Sequence, residues 1–207
     1  MNFTVIDFET ANRYWNSACA LGISVIKGGN IVEKQSWLIK PSKNWFEPIN
    51  IRIHGIRPED VQDKPFFAEL YKNTFKNFLE NQLIVAHNAS FDIGVLKHVM
   101  NQYNIPYPKL NFLCTLKLAQ QHWTHLPNHK LKTLSDYLDF NFNHHDALED
   151  TLASANILLT IGSELGLTSA QSIAKKIGVK IGTLSPDRYY KCGVIKSKKY
   201  KKQKSNG

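Results

Sequence analysis

The chain has 207 residues, of which 43% are hydrophobic and 21% are charged, a composition that supports one domain with a buried core and an appendage. No stretch approaches the roughly 18 consecutive apolar residues of a membrane-spanning helix, and no signal-peptide pattern opens the chain, so we expect a cytoplasmic protein without membrane contacts. The three cysteines, Cys19, Cys114 and Cys192, are far apart and odd in number, which favours reduced thiols over a disulfide framework or a zinc cluster.

The net charge of +9 is unevenly distributed along the chain. Six lysines lie in the segment KSKKYKKQK, 196–204, and without them 20 basic residues face 17 acidic ones. Such a segment is typical of a disordered, solubilising tail and also of a contact with nucleic acid. A contact of the second kind would depend on salt and not on nucleotide sequence.

The first 40 residues predict three strands in an antiparallel meander. The first strand is FTVIDF, 3–8, and the second is ACALGISVIK, 18–27. The turn residues GGN, 28–30, then lead into the alternating pattern of IVEKQSWLI, 31–39.

Helical and strand patterns alternate after the loop KPSKNWFEP, 40–48. Apolar residues at helical spacing predict a helix from Phe66 to Leu79 that packs on the sheet. Short strands are predicted at LIVAH and FLCT, and further helices at IRPEDVQDKP, at NASFDIGVLKHVMNQYNIP before Pro106, and at 116–123, 131–138 and 147–165. This order predicts an α/β fold in which helices cover a mixed sheet.

Residues 166–207 differ in character from the rest of the chain. TSAQSIAKKIG is compatible with a helix, short apolar pieces with turn residues follow it, and the lysine-rich segment comes last. We therefore expect one domain over 1–165 and a C-terminal extension over 166–207, which ends in a disordered tail.

Four acidic residues stand at predicted element ends. Asp7 and Glu9 share one face of the first strand, whereas Asp92 and Asp150 lie where helices begin. Either helix residue could simply favour its helix N-terminus. Four carboxylates that converge on one cleft would instead require hard cations such as Mg²⁺ or Mn²⁺. Two such ions, about 4 Å apart, are the standard clamp for displacement at a phosphodiester.

Three motifs carry a family resemblance: DFET at 7–10, AHNASFD at 86–92 and HHDALED at 144–150. In this order and spacing they resemble the DEDDh 3′-5′ exonucleases, and in particular the proofreading epsilon subunit of bacterial DNA polymerase III. The similarity extends through IHGIRPEDVQDKP, CTLKLAQ and NHKLKTLSDYL, so that it covers roughly residues 3–165. The resemblance implies a ribonuclease H-like fold with a central mixed sheet whose first three strands are antiparallel.

The same resemblance implies roles for the acidic residues and for one histidine. Asp7, Glu9, Asp92 and Asp150 match the ligands of two divalent metal ions, and all four are therefore catalytic as well. His145, five residues before Asp150, matches the general base, and an imidazole with a pKa near neutrality suits that task. His144 competes for the role by position, but the family spacing favours His145.

Three further residues match positions beside the terminal nucleotides of the substrate in similar enzymes. They are Thr10, Ile56 and Asn88; a strand-end hydroxyl, a core residue and a turn residue are equally good interpretations of them. Many relatives continue DFET with Thr-Gly, whereas this chain has Ala11 and Asn12.

Together these features predict a metal-dependent 3′-5′ exonuclease that releases nucleoside 5′-monophosphates from single-stranded or frayed 3′ ends, with DNA favoured over RNA. A DNA polymerase is a second partner that the resemblance implies, in replication or repair. The alternatives are a non-catalytic nucleic-acid-binding or polymerase-associated module on the same fold, and a nuclease that cuts internally.

Overall fold

The computed structural model describes residues 1–141 and 146–195. The predicted general base His145, its neighbour His144 and the lysine-rich segment 196–204 lie outside the described residues. The strands are β1 (Phe3–Thr10), β2 (Ala18–Lys27), β3 (Asn30–Leu38), β4 (Leu83–Ala86), β5 (Leu110–Cys114), β6 (Val179–Lys180), β7 (Gly182–Leu184), β8 (Tyr189–Tyr190) and β9 (Gly193–Val194). The helices are α1 (Pro48–His54), α2 (Pro58–Val61), α3 (Phe67–Leu70), α4 (Lys76–Leu79), α5 (Ala89–Gln102), α6 (Thr115–His122), α7 (Leu131–Tyr137), α8 (Ala147–Glu164) and α9 (Ala170–Ile177).

The central sheet is mixed, with the strand order β3-β2-β1-β4-β5-β7-β8. The first three strands pair antiparallel, β4 and β5 run parallel to β1, and β7 is antiparallel to β5. The prediction of a mixed α/β sheet with an antiparallel meander at its start is confirmed. β1 lies at the boundary between the antiparallel and parallel halves, so both halves contribute residues near its C-terminal end.

Each face of β1 packs into a different apolar core. Ile6 and Phe8 belong to the core covered by α3 and α5, whereas Phe3 and Val5 belong to the core covered by α6, α8 and α9. Alternation along the strand therefore turns Asp7 and Glu9 toward the face that α8 covers.

Gly22 allows α8 to approach the sheet closely. This residue pairs with Asp7 across β1 and β2, and a Cβ atom added to it would lie 2.1 Å from the carbonyl oxygen of Ala147. One turn further along, the hydroxyls of Ser24 and Thr151 form a buried hydrogen bond between β2 and α8. The first turns of α8 are therefore fixed directly over the strands that carry the acidic pair.

The helical segment predicted from Phe66 to Leu79 is present, with one irregularity. A π-helical turn over Tyr71–Phe75 joins α3 to α4. The ring of Phe75 packs edge-on against Trp37 of β3, with the ring centroids 5.0 Å apart. The prediction that this segment packs on the sheet is thus confirmed.

Helix α1 lies in a segment where no helix was predicted. Its sequence, PINIRIH, places isoleucines at every second position, a pattern that is typical of a strand. Pro48 begins the helix, where a missing N–H costs nothing, and Gly55 ends it in the left-handed conformation, with φ of 76°. These end signals outweigh the alternation.

The segment after residue 165 contributes to the same sheet. β7 and β8 extend it beyond β5, and the ring of Phe112 in β5 lies against Gly182, where a Cβ atom would be 2.3 Å from the ring. The division into an exonuclease domain over 1–165 and a C-terminal extension over 166–207 stays a prediction.

No helix within 1–141 or 146–195 is both long and apolar enough to cross a membrane.

Candidate active site

A cleft of about 510 Å³ opens at the C-terminal end of β1. Side chains from β1, from the junction of β4 and α5, and from α6, α7 and α8 line it. This is the edge of the sheet at which the parallel strands β1 and β4 end, which is the usual position for a binding site in an open α/β sheet.

Three carboxylates meet in this cleft. Oxygen atoms of Asp7, Glu9 and Asp150 all lie within 4.8 Å of one another. The two-residue alternation of β1 brings the first two together, and the packing of α8 on Gly22 brings the third. The structure therefore unites three of the four acidic residues that the sequence singled out.

Asp92 is buried beside this cluster, in the first turn of α5, and is 1% exposed. Its Oδ1 accepts a hydrogen bond of 3.1 Å from the backbone N–H of Phe8, which links α5 to β1 between the two acidic residues of the strand. Its Oδ2 is buried and has no hydrogen-bond donor among the described residues. A buried carboxylate oxygen without a donor is costly unless a cation offsets its charge.

Burial, together with repulsion between the carboxylates, raises the pKa values of Asp7, Glu9 and Asp92. Burial is the main cause of a pKa well above the usual range for Asp7, and the charges of Asp92, Asp150, Glu9 and Asp146 raise it further. Burial and the nearby carboxylates likewise raise the pKa of Glu9 to about 8. The pKa of Asp92 rises to about 7 through burial, although the N–H of Phe8 partly opposes the shift.

These residues fit divalent cations. The donor set consists of carboxylate oxygens, the ligands that hard divalent ions prefer. Oδ2 of Asp92, which no donor of the described residues satisfies, adds a further oxygen beside the other three residues. Positive charge in the cluster would offset both the repulsion and the burial. Asp7, Glu9, Asp92 and Asp150 are thus the residues that could hold the metal.

The three predicted substrate contacts have different surroundings. Asn88 is exposed in the cleft, in the left-handed conformation with φ of 64° at the start of α5. Thr10 is buried, and its carbonyl oxygen accepts hydrogen bonds from Asn50 and His54 of α1. Ile56 packs against the small apolar cluster that includes Ala11, Cys19, Phe46 and Val61. Only Asn88 of the three lines the cleft.

Sequence reasoning missed other residues that line the cleft, among them Phe91, Gln120 and Lys130. Lys130, directly before α7, adds a cation to the lining of the cleft. The sequence signal that could have pointed to Lys130 as a cleft residue is its position inside NHKLKTLSDYL, a segment that carries the resemblance.

Two histidines that were given no catalytic role also line the cleft, and both support its wall. His87 contacts the hydroxyl of Thr115 at 2.9 Å and the carbonyl oxygen of His129 at 3.0 Å. His129 in turn contacts the carbonyl oxygen of Trp123 at 3.0 Å. These bonds fix the loop that leads to Lys130.

A cluster of carboxylates at the C-terminal end of the first strand is the kind of ligand set with which two-metal enzymes act on phosphate esters. The family model of RNase T, described as an exonuclease family, matches residues 4–158. The chain belongs to this exonuclease family and is a nuclease.

Relatives in sequence include polymerases and a separate exonuclease. The PolC-type DNA polymerase III of Oceanobacillus iheyensis is 32% identical over 159 residues, which cover 75% of this chain and 11% of the polymerase. Exodeoxyribonuclease 10 of Escherichia coli is 28% identical over 172 residues, with coverage of 81% and 71%. The chain thus spans about a tenth of the length of the polymerase that it matches.

Solved structures confirm the fold. Exonuclease X in complex with 5′ overhanging duplex DNA superimposes with a TM-score of 0.67 at 26% identity, covering 84% of this chain and 99% of that one. The nuclease domain of 3′hExo, a DEDDh family member bound to rAMP, gives a TM-score of 0.67 at 15% identity, with coverage of 79% and 92%.

Proposed function

We propose that this nuclease is a 3′-5′ exonuclease that releases nucleoside 5′-monophosphates from single-stranded or frayed DNA ends, with Mg²⁺ or Mn²⁺ as its cofactor. The observation that carries the proposal is the meeting of Asp7, Glu9 and Asp150 within 4.8 Å in an open cleft, with Asp92 buried beside them. DNA is favoured because one relative is an exodeoxyribonuclease and one similar structure was solved with duplex DNA.

The four carboxylates would serve as metal ligands in this proposal. Bound divalent cations would supply the charge that activates water and stabilises the leaving oxygen of the phosphodiester. Asp7 and Glu9 offer oxygen atoms from a rigid strand, and Asp150 offers them from a helix fixed by Gly22. The hydrogen bond from Phe8 orients the carboxylate of Asp92.

His145 would act as the general base that takes a proton from the attacking water. This proposal rests on its spacing of five residues from Asp150 and on its place directly before Asp146, which caps α8 by accepting hydrogen bonds from the N–H groups of Leu148 and Glu149. The imidazole must be neutral to accept the proton. The rate of hydrolysis should therefore increase as the pH rises through the pKa of this histidine.

Substrate positioning would fall to residues around the carboxylates. Asn88 offers an exposed amide at the start of α5, and Lys130 offers a cation that can pair with a phosphate. Thr10 would act from the last position of β1, where α1 holds its backbone, and Ile56 from the segment that follows α1. A DNA polymerase is the proposed protein partner, because PolC-type polymerases contain a similar sequence within much longer chains.

A time course on 5′-labelled single-stranded DNA, with RNA of the same sequence beside it, tests the proposal. With Mn²⁺ or Mg²⁺ we expect a ladder that shortens from the 3′ end, faster on DNA than on RNA. Asp7→Asn should abolish the ladder, whereas Asp63→Asn, at an exposed carboxylate remote from the cleft, should leave it unchanged.

Two results would contradict the proposal. Cleavage of a circular single strand would indicate an internally cutting nuclease. Tight binding of the linear strand without metal-dependent cleavage would indicate a non-catalytic binding module.

A further inference from the structure

A second cavity, of about 360 Å³, lies beside α5 on the side of the C-terminal segment. We call it the basic pocket and define it by Trp15, Ser90, Lys97, Lys117, Tyr189 and Lys191, all of which line it. Tyr189 and Lys191 lie beyond residue 158, where the match to the exonuclease family ends. The pocket is therefore built partly from residues outside that match.

The lysines of the basic pocket have no acidic partner among the described residues. The ion pairs in 1–141 and 146–195 are Arg13–Glu47, His122–Glu164 and Lys132–Asp136. No carboxylate of the described residues lines the basic pocket. Three ammonium groups around one partly enclosed cavity create a field that attracts an anion.

Aromatic rings form part of the wall. The ring of Tyr189 stacks on Phe112 at 6.1 Å with an interplanar angle of 12°, and Lys97 Nζ lies 3.7 Å from the centre of the same ring. Trp15 is 42% exposed and packs over Gly94, where a Cβ atom would be 2.5 Å from its ring. Lysines combined with exposed aromatic rings are typical of surfaces that bind single-stranded nucleic acid.

The basic pocket and the catalytic cleft lie on either side of the start of α5. Ser90 lines the pocket, while Asn88 and Phe91, on either side of it in the sequence, line the cleft. Lys117 of α6 likewise follows Leu116, which lines the cleft. A helix is about 10 Å across, which is the length of about three nucleotides in a stacked strand.

We propose that the basic pocket binds phosphate groups of the substrate strand about three or more nucleotides away from the reacting 3′ end. The C-terminal segment thereby extends the binding site of the nuclease through Tyr189 and Lys191. This inference rests on the proposed function in one respect only, namely that the bound strand is the substrate.

The test measures the binding of single-stranded DNA in an Asp7→Asn background with Mg²⁺, so that the strand stays intact. Lys117→Ala/Lys191→Ala is compared with Lys175→Ala/Lys176→Ala, a control at two exposed lysines of α9. Fluorescence anisotropy gives the Kd of a labelled twelve-nucleotide strand and of a labelled trinucleotide.

In about 0.1 M salt the pocket variant should weaken binding of the longer strand about tenfold and lower the salt slope by about 1.4, the value for two lost phosphate contacts. The trinucleotide should change by less than about twofold, because it is too short to reach the pocket from the cleft. The control variant should bind both strands as the parent does.

An unchanged Kd for the longer strand, or an equal loss for both lengths, would overturn the inference. A nucleoside 5′-monophosphate that binds the parent and loses affinity in the pocket variant, while the longer strand does not, would assign the pocket to free nucleotide instead. Hydrolysis by the unsubstituted chain is measured separately. A result in which that chain does not cleave DNA, while the pocket variant still loses affinity for the longer strand only, would contradict the proposed function and support strand binding by the basic pocket.

Discussion

The acidic cleft and the basic pocket lie on either side of α5 and arise in different ways. The cleft combines Asp7 and Glu9, which the alternation of β1 already places on one face, with Asp92 and Asp150, which the packing of α5 and α8 brings to them. The pocket collects lysines from α5, α6 and the C-terminal segment, which become neighbours only when β7 and β8 join the sheet. Local sequence thus accounts for the acidic pair of β1, whereas the completed cleft and the basic pocket both depend on tertiary packing.

Among the variants compared below, the largest effect is expected from the proposed general base. His145→Ala should lower kcat by about 10²- to 10⁴-fold, the usual contribution of a positioned base. Binding of Mn²⁺ should not change, because the carboxylates of the cleft are intact. Steady-state kinetics and metal titration measure the two quantities, and His144→Ala is the matched control. A larger loss of kcat in His144→Ala would transfer the role to His144.

A glycine substitution tests whether the packing of α8 builds the cleft. In Gly22→Ala the new Cβ would lie 2.1 Å from the carbonyl oxygen of Ala147, so the start of α8 must move. We expect a loss of about 1–3 kcal/mol in the free energy of unfolding, together with weaker metal binding. Denaturant unfolding checks the first quantity. Gly193→Ala is the control, since nothing lies within 4 Å of its added Cβ. A wild-type metal affinity in Gly22→Ala would mean that the metal site does not depend on the packing of α8 on Gly22.

The pH dependence of stability tests the raised pKa values of the carboxylates in the cleft, which burial and mutual repulsion cause. In the folded chain the pKa of Glu9 is raised from 4.5 to about 8 and that of Asp92 from 3.8 to about 7. The folded state therefore binds more protons than the unfolded state in this window, so the metal-free protein should lose stability as the pH rises from about 4 to about 8.

Thermal unfolding in a chelator at several pH values measures this loss. Added Mn²⁺ should raise the Tm more at pH 8 than at pH 5, because metal binding displaces the protons. Glu9→Gln should flatten the metal-free profile. A Tm that increases with pH across the window in the chelator would contradict the assigned shifts.

The smallest effect is expected from the lysine-rich segment. Deletion of 196–207 should reduce the salt slope of strand binding and leave kcat at saturation unchanged, because charge on a tail adds only salt-dependent attraction. Binding titrations at several salt concentrations check this outcome. An unchanged slope would assign the segment to solubility.

Much of the fold could be predicted because its elements carry clear local patterns. The alternation in β1 to β3 and the helical spacing of α5 and α8 identified these elements. Strand alternation also predicted that Asp7 and Glu9 share a face. The resemblance then linked Asp92 and Asp150 to them.

The rest depended on contacts between distant parts of the chain. The alternating isoleucines of α1 are typical of a strand, yet Pro48 begins a helix there and Gly55 ends it. The place of β7 beside β5 depends on the fit of Phe112 against Gly182, which no local pattern reports. Lys130 lines the cleft because His87 and His129 fix the loop before it.

The most direct test of the division between chemistry and binding compares Asp92→Asn with Lys117→Ala/Lys191→Ala on the same twelve-nucleotide strand, with kcat and KM measured separately. The cleft variant should lose kcat by about a hundredfold or more, because loss of even an outer-shell partner of a metal ligand typically costs 10–100-fold. The pocket variant should raise KM and keep kcat. A pocket variant that loses kcat, or an Asp92→Asn protein that keeps it, would contradict the account.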